Sequence, residues 1–178
     1  YIPMSEQLIL KKLREEIDKI DGKILELIGN RSDLAKKIVN AKNGQDIFKP
    51  EREEALVNRL ISISGDSNPQ FVENIWRTLI SENLFLQGGL KISVGSSKDA
   101  YETAKWHFGR AAQIDLLKSN EEAFNKLVSD NYDAAVVPLE KNLKETYIID
   151  DRIIRKNASS PVARRNNLLK IAIYKKDV

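Results

Sequence analysis

The stretch from Leu13 to Lys42, LREEIDKIDGKILELIGNRSDLAKKIVNAK, decides how this chain folds. Leu13, Ile17, Ile20, Ile24, Leu27, Ile28, Leu34 and Ile38 recur at spacings of three, four and their sums, which lays one apolar stripe along a helix. That helix is expected from about Ser5 to Asn43. A stripe so long needs another long helix to cover it, so the pattern points to a helical dimer. Among the cations of the same segment are Arg14, Arg31 and Lys42. A helix advances about 100° and 1.5 Å per residue, so Arg31 and Lys42 point within roughly 20° of each other and lie about 16 Å apart along the axis. Two long cationic side chains can lean across that gap onto one small anion. Arg14 lies about 25 Å from Arg31 and roughly 100° around the helix. To bind the same kind of anion it must serve a site in a second chain, which suggests an antiparallel dimer with shared sites.

Outward from this helix, Asn43-Gly44 can end it in left-handed backbone. Pro50 suits the first turn of a second helix, where its missing N–H would be unpaired anyway. That helix carries the pair Arg52-Glu53, with Leu56, Leu60 and Ile63 as its expected buried side and Gly65 as its stop. Ser67 or Asn68 caps a third helix with Pro69 just inside, and Phe71, Ile75, Trp76, Leu79 and Ile80 are expected to face inward. Gly29, inside the first helix, costs about 1 kcal/mol against Ala unless a close contact uses it. Gly88-Gly89 closes a helical domain, 1–89.

From Leu90 the period changes. Leu90-Lys91-Ile92-Ser93-Val94 alternates like a strand. Residues 98–109 read as a helix with Ala100, Ala104 and Phe108 on one face. Ile114 to Leu117 is a short strand, Asn120 caps a helix through Val128, and Ala134 to Pro138 is a buried strand. Leu168 to Tyr174 is expected to be another. Strands alternating with helices imply a small α/β domain, 90–178, with a mainly parallel sheet. His107, the one histidine, sits between Trp106 and Phe108 with no partner visible in the sequence, so it reads as structural. Asp150-Asp151 reads as a solvated pair.

Composition narrows the function. The 178 residues are 42% hydrophobic, enough for ordinary cores. Net charge is +3, unevenly spread: residues 1–87 hold 13 basic and 14 acidic side chains, the remainder 16 and 12. The late excess includes Arg155, Lys156, Arg164 and Arg165, but no aromatic interleaving accompanies it, so no nucleic-acid partner is expected. No apolar run approaches the ~20 residues of a membrane span, so no membrane partner is expected either. No signal peptide is expected, and the location is expected to be cytoplasmic. With no Cys and one His, the usual nucleophile and metal-ligand sets are mostly missing, and no cofactor or metal is expected.

The stretch Leu13-Arg14-Glu15-Glu16-Ile17-Asp18-Lys19-Ile20-Asp21, then Asn30-Arg31-Ser32-Asp33-Leu34-Ala35, Ala41-Lys42, Pro50-Glu51-Arg52-Glu53-Glu54 and the segment Glu82 to Gln87, resembles the all-helical chorismate mutases in residue type, order and spacing. The resemblance implies turnover of chorismate to prephenate, a step towards phenylalanine and tyrosine, in an intertwined helical homodimer. It further implies that Arg31 binds one substrate carboxylate and that Arg14 reaches over from the partner subunit to the other. Lys42 and Gln87 would hydrogen-bond the ether oxygen. Glu53 would receive the ring hydroxyl, Arg52 would shape the wall beside it, and Asn83 would add a small polar contact one turn before Gln87. Lys49 stands where the family often places an acidic residue in the loop before the second helix. The implied reaction is an intramolecular Claisen rearrangement. It needs a dianion held in its compact conformer and donors for charge growing on the ether oxygen, and no nucleophile, metal or cofactor.

Val94-Gly95-Ser96-Ser97 to Tyr101, and Tyr132 to Glu140, resemble parts of a prephenate dehydratase domain. Lys141 and Asn142 depart from that family's loop, and Arg165-Asn166-Asn167-Leu168 lacks its Thr and Phe. The expectation is a degenerate or incomplete dehydratase-like domain without assigned catalytic residues. The whole is therefore expected to be α + α/β: a three-helix mutase domain in an intertwined dimer, then a small α/β domain. Two alternatives stand beside it. One is a bifunctional mutase/dehydratase; the other is a non-catalytic dimeric scaffold whose α/β domain binds a ligand.

Overall fold

The apolar stripe does form one uninterrupted helix. In the computed structural model, which describes residues 3–41, 47–129, 132–138, 153–157 and 171–176, α1 spans Met4–Ala41. No α1 residue is buried: Leu13, Ile17, Ile20 and Ile24 are each about half exposed, and Leu27 and Leu34 are more so. Among the described residues of this one chain, nothing lies within 4 Å of where a Cβ on Gly29 would stand. The expected helix end at Asn43-Gly44 lies outside the described residues.

The chain divides into two compact units, Tyr1–Asn43 and Gly44–Val178. In the second, α2 (Pro50–Ile63) and α3 (Pro69–Leu86) are followed by β1 (Leu90–Val94), α4 (Lys98–Phe108), a 3-10 turn (Gly109–Ala111), β2 (Ala112–Leu116), α5 (Asn120–Ser129), β3 (Ala134–Pro138), β4 (Ile153–Asn157) and β5 (Ile171–Lys176). Pro50 and Pro69 open α2 and α3, and Asn68 Oδ1 accepts from Gln70 N–H at 2.8 Å as an N-cap. At α5 the cap is one residue earlier than expected. Ser119 Oγ, not Asn120, accepts from Glu122 N–H at 3.0 Å, while the Glu122 carboxylate reaches back to Lys118 N–H at 3.0 Å.

The sheet order is β2-β1-β3-β5-β4. β1 pairs in parallel with β2 and β3, as α4 and α5 crossovers require, and β5 then joins β3 and β4 antiparallel. Strand β4 was not anticipated: Ile153-Ile154-Arg155-Lys156-Asn157 carries no period of two. Side-chain alternation splits the interior. Ala134 and Val136 of β3 pack with Ile92, Val94, Ala104 and Phe108, while Ala135 and Val137 pack with Ala123, Phe124 and Leu127. Helices α4 and α5 therefore cover opposite faces. Ser93, fully buried on the α5 side of β1, donates to Ala123 O at 2.7 Å.

Phe48, Val57, Ile80 and Leu84 join the α4-side core. This shared packing is why the second unit begins at Gly44 and follows a different line from the sequence boundary at residue 89. It also turns the helices. Leu56 and Leu60 are half-buried as expected, but Ile63 is 67% exposed and Val57 is buried. On α3, Phe71 is 60% exposed and Ile75 is also outward, with Trp76 and Leu79 half-buried; Val72, Ile80 and Leu84 face the core. A rotation of one residue, about 100°, is enough to exchange such neighbouring stripes.

Candidate active site

Of the three candidate cations, Arg14 and Arg31 are described and share one continuous helix. Arg14 is exposed and Arg31 half-buried. Burial pushes the Arg31 guanidinium below its ordinary value, although arginine stays cationic in any protein setting. Lys42, expected to act with Arg31, lies outside the described residues.

Lys49, Arg52, Glu53, Asn83 and Gln87 belong to the second unit. Lys49 is the half-buried N-cap of α2, making no side-chain cap bond. Glu51 and Glu53 in the first turn of α2 suit its positive N-terminus. Successive helical residues diverge by about 100°, and accordingly Arg52 points outward while Glu53 is buried. On α3, Asn83 is buried, and Gln87 is the half-buried C-cap, donating its N–H to Asn83 O and Leu84 O at 3.2 Å each.

Glu53 is brought together with two residues that the sequence reading did not place in the site. Its Oε1 lies 3.9 Å from Arg77 Nη1, and Arg77 Nη1 lies 3.3 Å from His107 Nε2. Both Arg77 and His107 are 4% exposed. Arginine has no acceptor atoms, so in this contact Nη1–H donates and Nε2 accepts, which assigns the ring proton of a neutral His107 to Nδ1. The sequence shows no partner for His107, and the structure supplies one in Arg77. Its partner is thirty residues away in sequence, beyond the reach of any local pattern. Arg77 did carry a signal: it interrupts the apolar run Ile75-Trp76-Arg77-Thr78-Leu79-Ile80 on the side of Ile80 and Ser81. Buried charges persist only when paired, and Glu53 supplies an opposite charge 3.9 Å from Arg77.

An open recess of about 410 Å³ is lined by Phe85, Gly88, Lys91, Arg110 and Asp133 among others, and by none of the expected site residues. Glu140, Lys141, Asn142, Asp150, Asp151 and Arg165 to Leu168 lie outside the described residues. Among the described residues, no helix is long and apolar enough to cross a membrane.

Residues 13–88 match the family chorismate mutase type II. The chain is 39% identical over 84 residues to a chorismate mutase of Methanocaldococcus jannaschii, covering 44% of this chain and 83% of that protein. It is 31% identical over 144 residues to a bifunctional chorismate mutase/prephenate dehydratase of Aquifex aeolicus, covering 76% of this chain and 40% of the relative. A 4-amino-4-deoxychorismate mutase of Streptomyces venezuelae is 30% identical over 83 residues, 44% of this chain and 81% of that protein. The chain thus spans about two fifths of the length of the bifunctional relatives it matches. A match over 76% of this chain cannot stop at the helices; wherever it begins, it runs through α4, β2 and α5. No solved structure matches significantly.

Proposed function

The chain belongs to the chorismate mutase type II family, and on that premise we propose that it converts chorismate to prephenate in an intertwined homodimer. The observation that carries the reading is that the family match, 13–88, encloses in order all eight candidate residues from Arg14 to Gln87. In this reading residues 1–89 form the mutase domain. Arg31, with Arg14 from the partner subunit, holds the two carboxylates. Lys42 and Gln87 donate to the ether oxygen, and Glu53 receives the ring hydroxyl. Arg52, Asn83 and Lys49 border the substrate.

The protein's tasks are positioning and electrostatics. Fixing the compact conformer removes much of the entropic barrier. A preorganised donor at the ether oxygen is worth about 2.7–4 kcal/mol of barrier. The dimer is supported by α1 itself. Its stripe of Leu13, Ile17, Ile20, Ile24, Leu27 and Leu34 is exposed along the whole helix, and a contiguous apolar face of that length calls for a matching partner. A cytoplasmic location goes with this proposal.

Loss of chorismate followed by absorbance is the direct test; wild-type protein inert towards chorismate would favour the scaffold alternative. For the α/β half, the long match to the bifunctional relative favours kinship with a prephenate dehydratase domain. Lys141 and Asn142 depart from that family's loop, so we assign no dehydratase residues and expect prephenate to accumulate. Conversion to phenylpyruvate would instead establish the bifunctional reading.

A further inference from the structure

Three buried polar side chains from three helices meet where α2, α3 and α4 join: Glu53, Arg77 and His107. Only Glu53 has a role in the mutase reading, and that role needs an ionised acceptor. Its side chain is 11% exposed. Desolvation of that degree favours the neutral acid unless an opposite charge is near. The Arg77 guanidinium lies 3.9 Å away.

The guanidinium is oriented in turn. His107 Nε2 accepts from Nη1 at 3.3 Å, and the imidazole stands edge-on to Phe108 at 4.8 Å and 70°. One turn after Arg77, Ser81 Oγ donates to Phe108 O at 2.6 Å and stands 3.4 Å from Ala111 N–H. Gly109 turns the chain there at φ +52°, where a Cβ would come within 2.6 Å of Ser81 Oγ. The C-terminal end of α4 is thereby fixed to α3 at the level of Arg77, which holds the imidazole in register with the guanidinium.

We propose that Arg77 and His107 are positioning residues for Glu53. Arg77 keeps the buried carboxylate charged, and His107, supplied by the α/β half, aims the guanidinium. The mutase helices then depend on a side chain beyond the segment 13–88 that defines the family match. The kinetic part of this inference rests on the mutase reading.

The test uses the full chain. His107→Ala should lower kcat about tenfold with KM within about twofold of wild type, the pattern of a group acting on the reacting geometry and not on substrate affinity. His107→Gln, which keeps a hydrogen-bond acceptor, should recover kcat to within about threefold of wild type. An unchanged kcat in His107→Ala, or a His107→Gln chain as slow as His107→Ala, overturns the proposal. A second measurement needs no turnover. The side-chain carboxyl of Glu53, assigned against Glu53→Gln, is titrated by carbon-13 NMR. Its midpoint should move to higher pH in Arg77→Met, and in the same direction by less in His107→Ala. Identical midpoints in wild type and Arg77→Met, or in wild type and His107→Ala should Arg77→Met not fold, overturn the proposal. Wild-type protein that leaves chorismate intact refutes the mutase reading separately, and the titration still decides this one.

Discussion

Helix α1 and the pair α2–α3 carry the same kind of apolar periodicity and end in opposite environments. Over 38 residues α1 buries nothing, whereas α2 and α3 bury Val57, Val72, Ile80 and Leu84, and with them the charged Glu53 and Arg77. A helical stripe states that a face needs cover. It does not state what supplies it. For α2 and α3 the cover lies within the same unit, in Phe48, Phe108 and β1; for α1, the reading above assigns it to a second chain.

The sharpest way to break this comparison is through the charges that α1 contributes. Arg31→Ala should reduce chorismate turnover at least a hundredfold, on the scale of about 3 kcal/mol for a lost fixed donor, with helix content by circular dichroism unchanged. Full activity in that variant would leave α1 without a chemical role. Mixing Arg14→Ala with Arg31→Ala chains should restore part of the activity, since some hybrid dimers keep one intact shared site. No rescue after verified chain exchange would refute the cross-subunit arrangement.

Next in size are changes of packing. Leu84→Ala, in the core of the second unit, should cost about 2–5 kcal/mol in denaturant unfolding. Leu25→Ala, at an α1 position 71% exposed, should stay within about 0.5 kcal/mol. Ile24→Glu, on the stripe, should instead shift the sedimentation equilibrium from dimer to monomer. A dimer as tight as wild type would mean that the stripe is not the interface. Smallest, loss of the α3 cap in Asn68→Ala should cost about 1 kcal/mol and leave activity alone.

What the sequence disclosed follows from the same contrast. Ala100, Ala104 and Phe108 were legible because one helix face meets one sheet, and all three are buried. Pro50 and Asn68 were legible because caps are local chemistry. Phe71 and Ile63 were misjudged because apolar residues occupy two neighbouring stripes, and only tertiary packing chooses between them. Among the site candidates, Arg14 and Arg31 could be set on one helix by periodicity alone. The pairing of Glu53 with Arg77 and His107 could not, since it joins three helices across 24 and 30 residues of chain.

Strand β3 has a consequence of a different kind. Every residue from Ala134 to Pro138 is buried, with odd and even positions serving separate interiors. It works as a party wall between two chambers. Deleting one residue just upstream would send Val136 and Val137 to each other's side: the α4-side chamber would still receive an Ala and a Val, but Pro138 would come to stand where Val137 packs with Phe124 and Leu127. A deletion there should therefore spoil the α5-side chamber and largely spare the other.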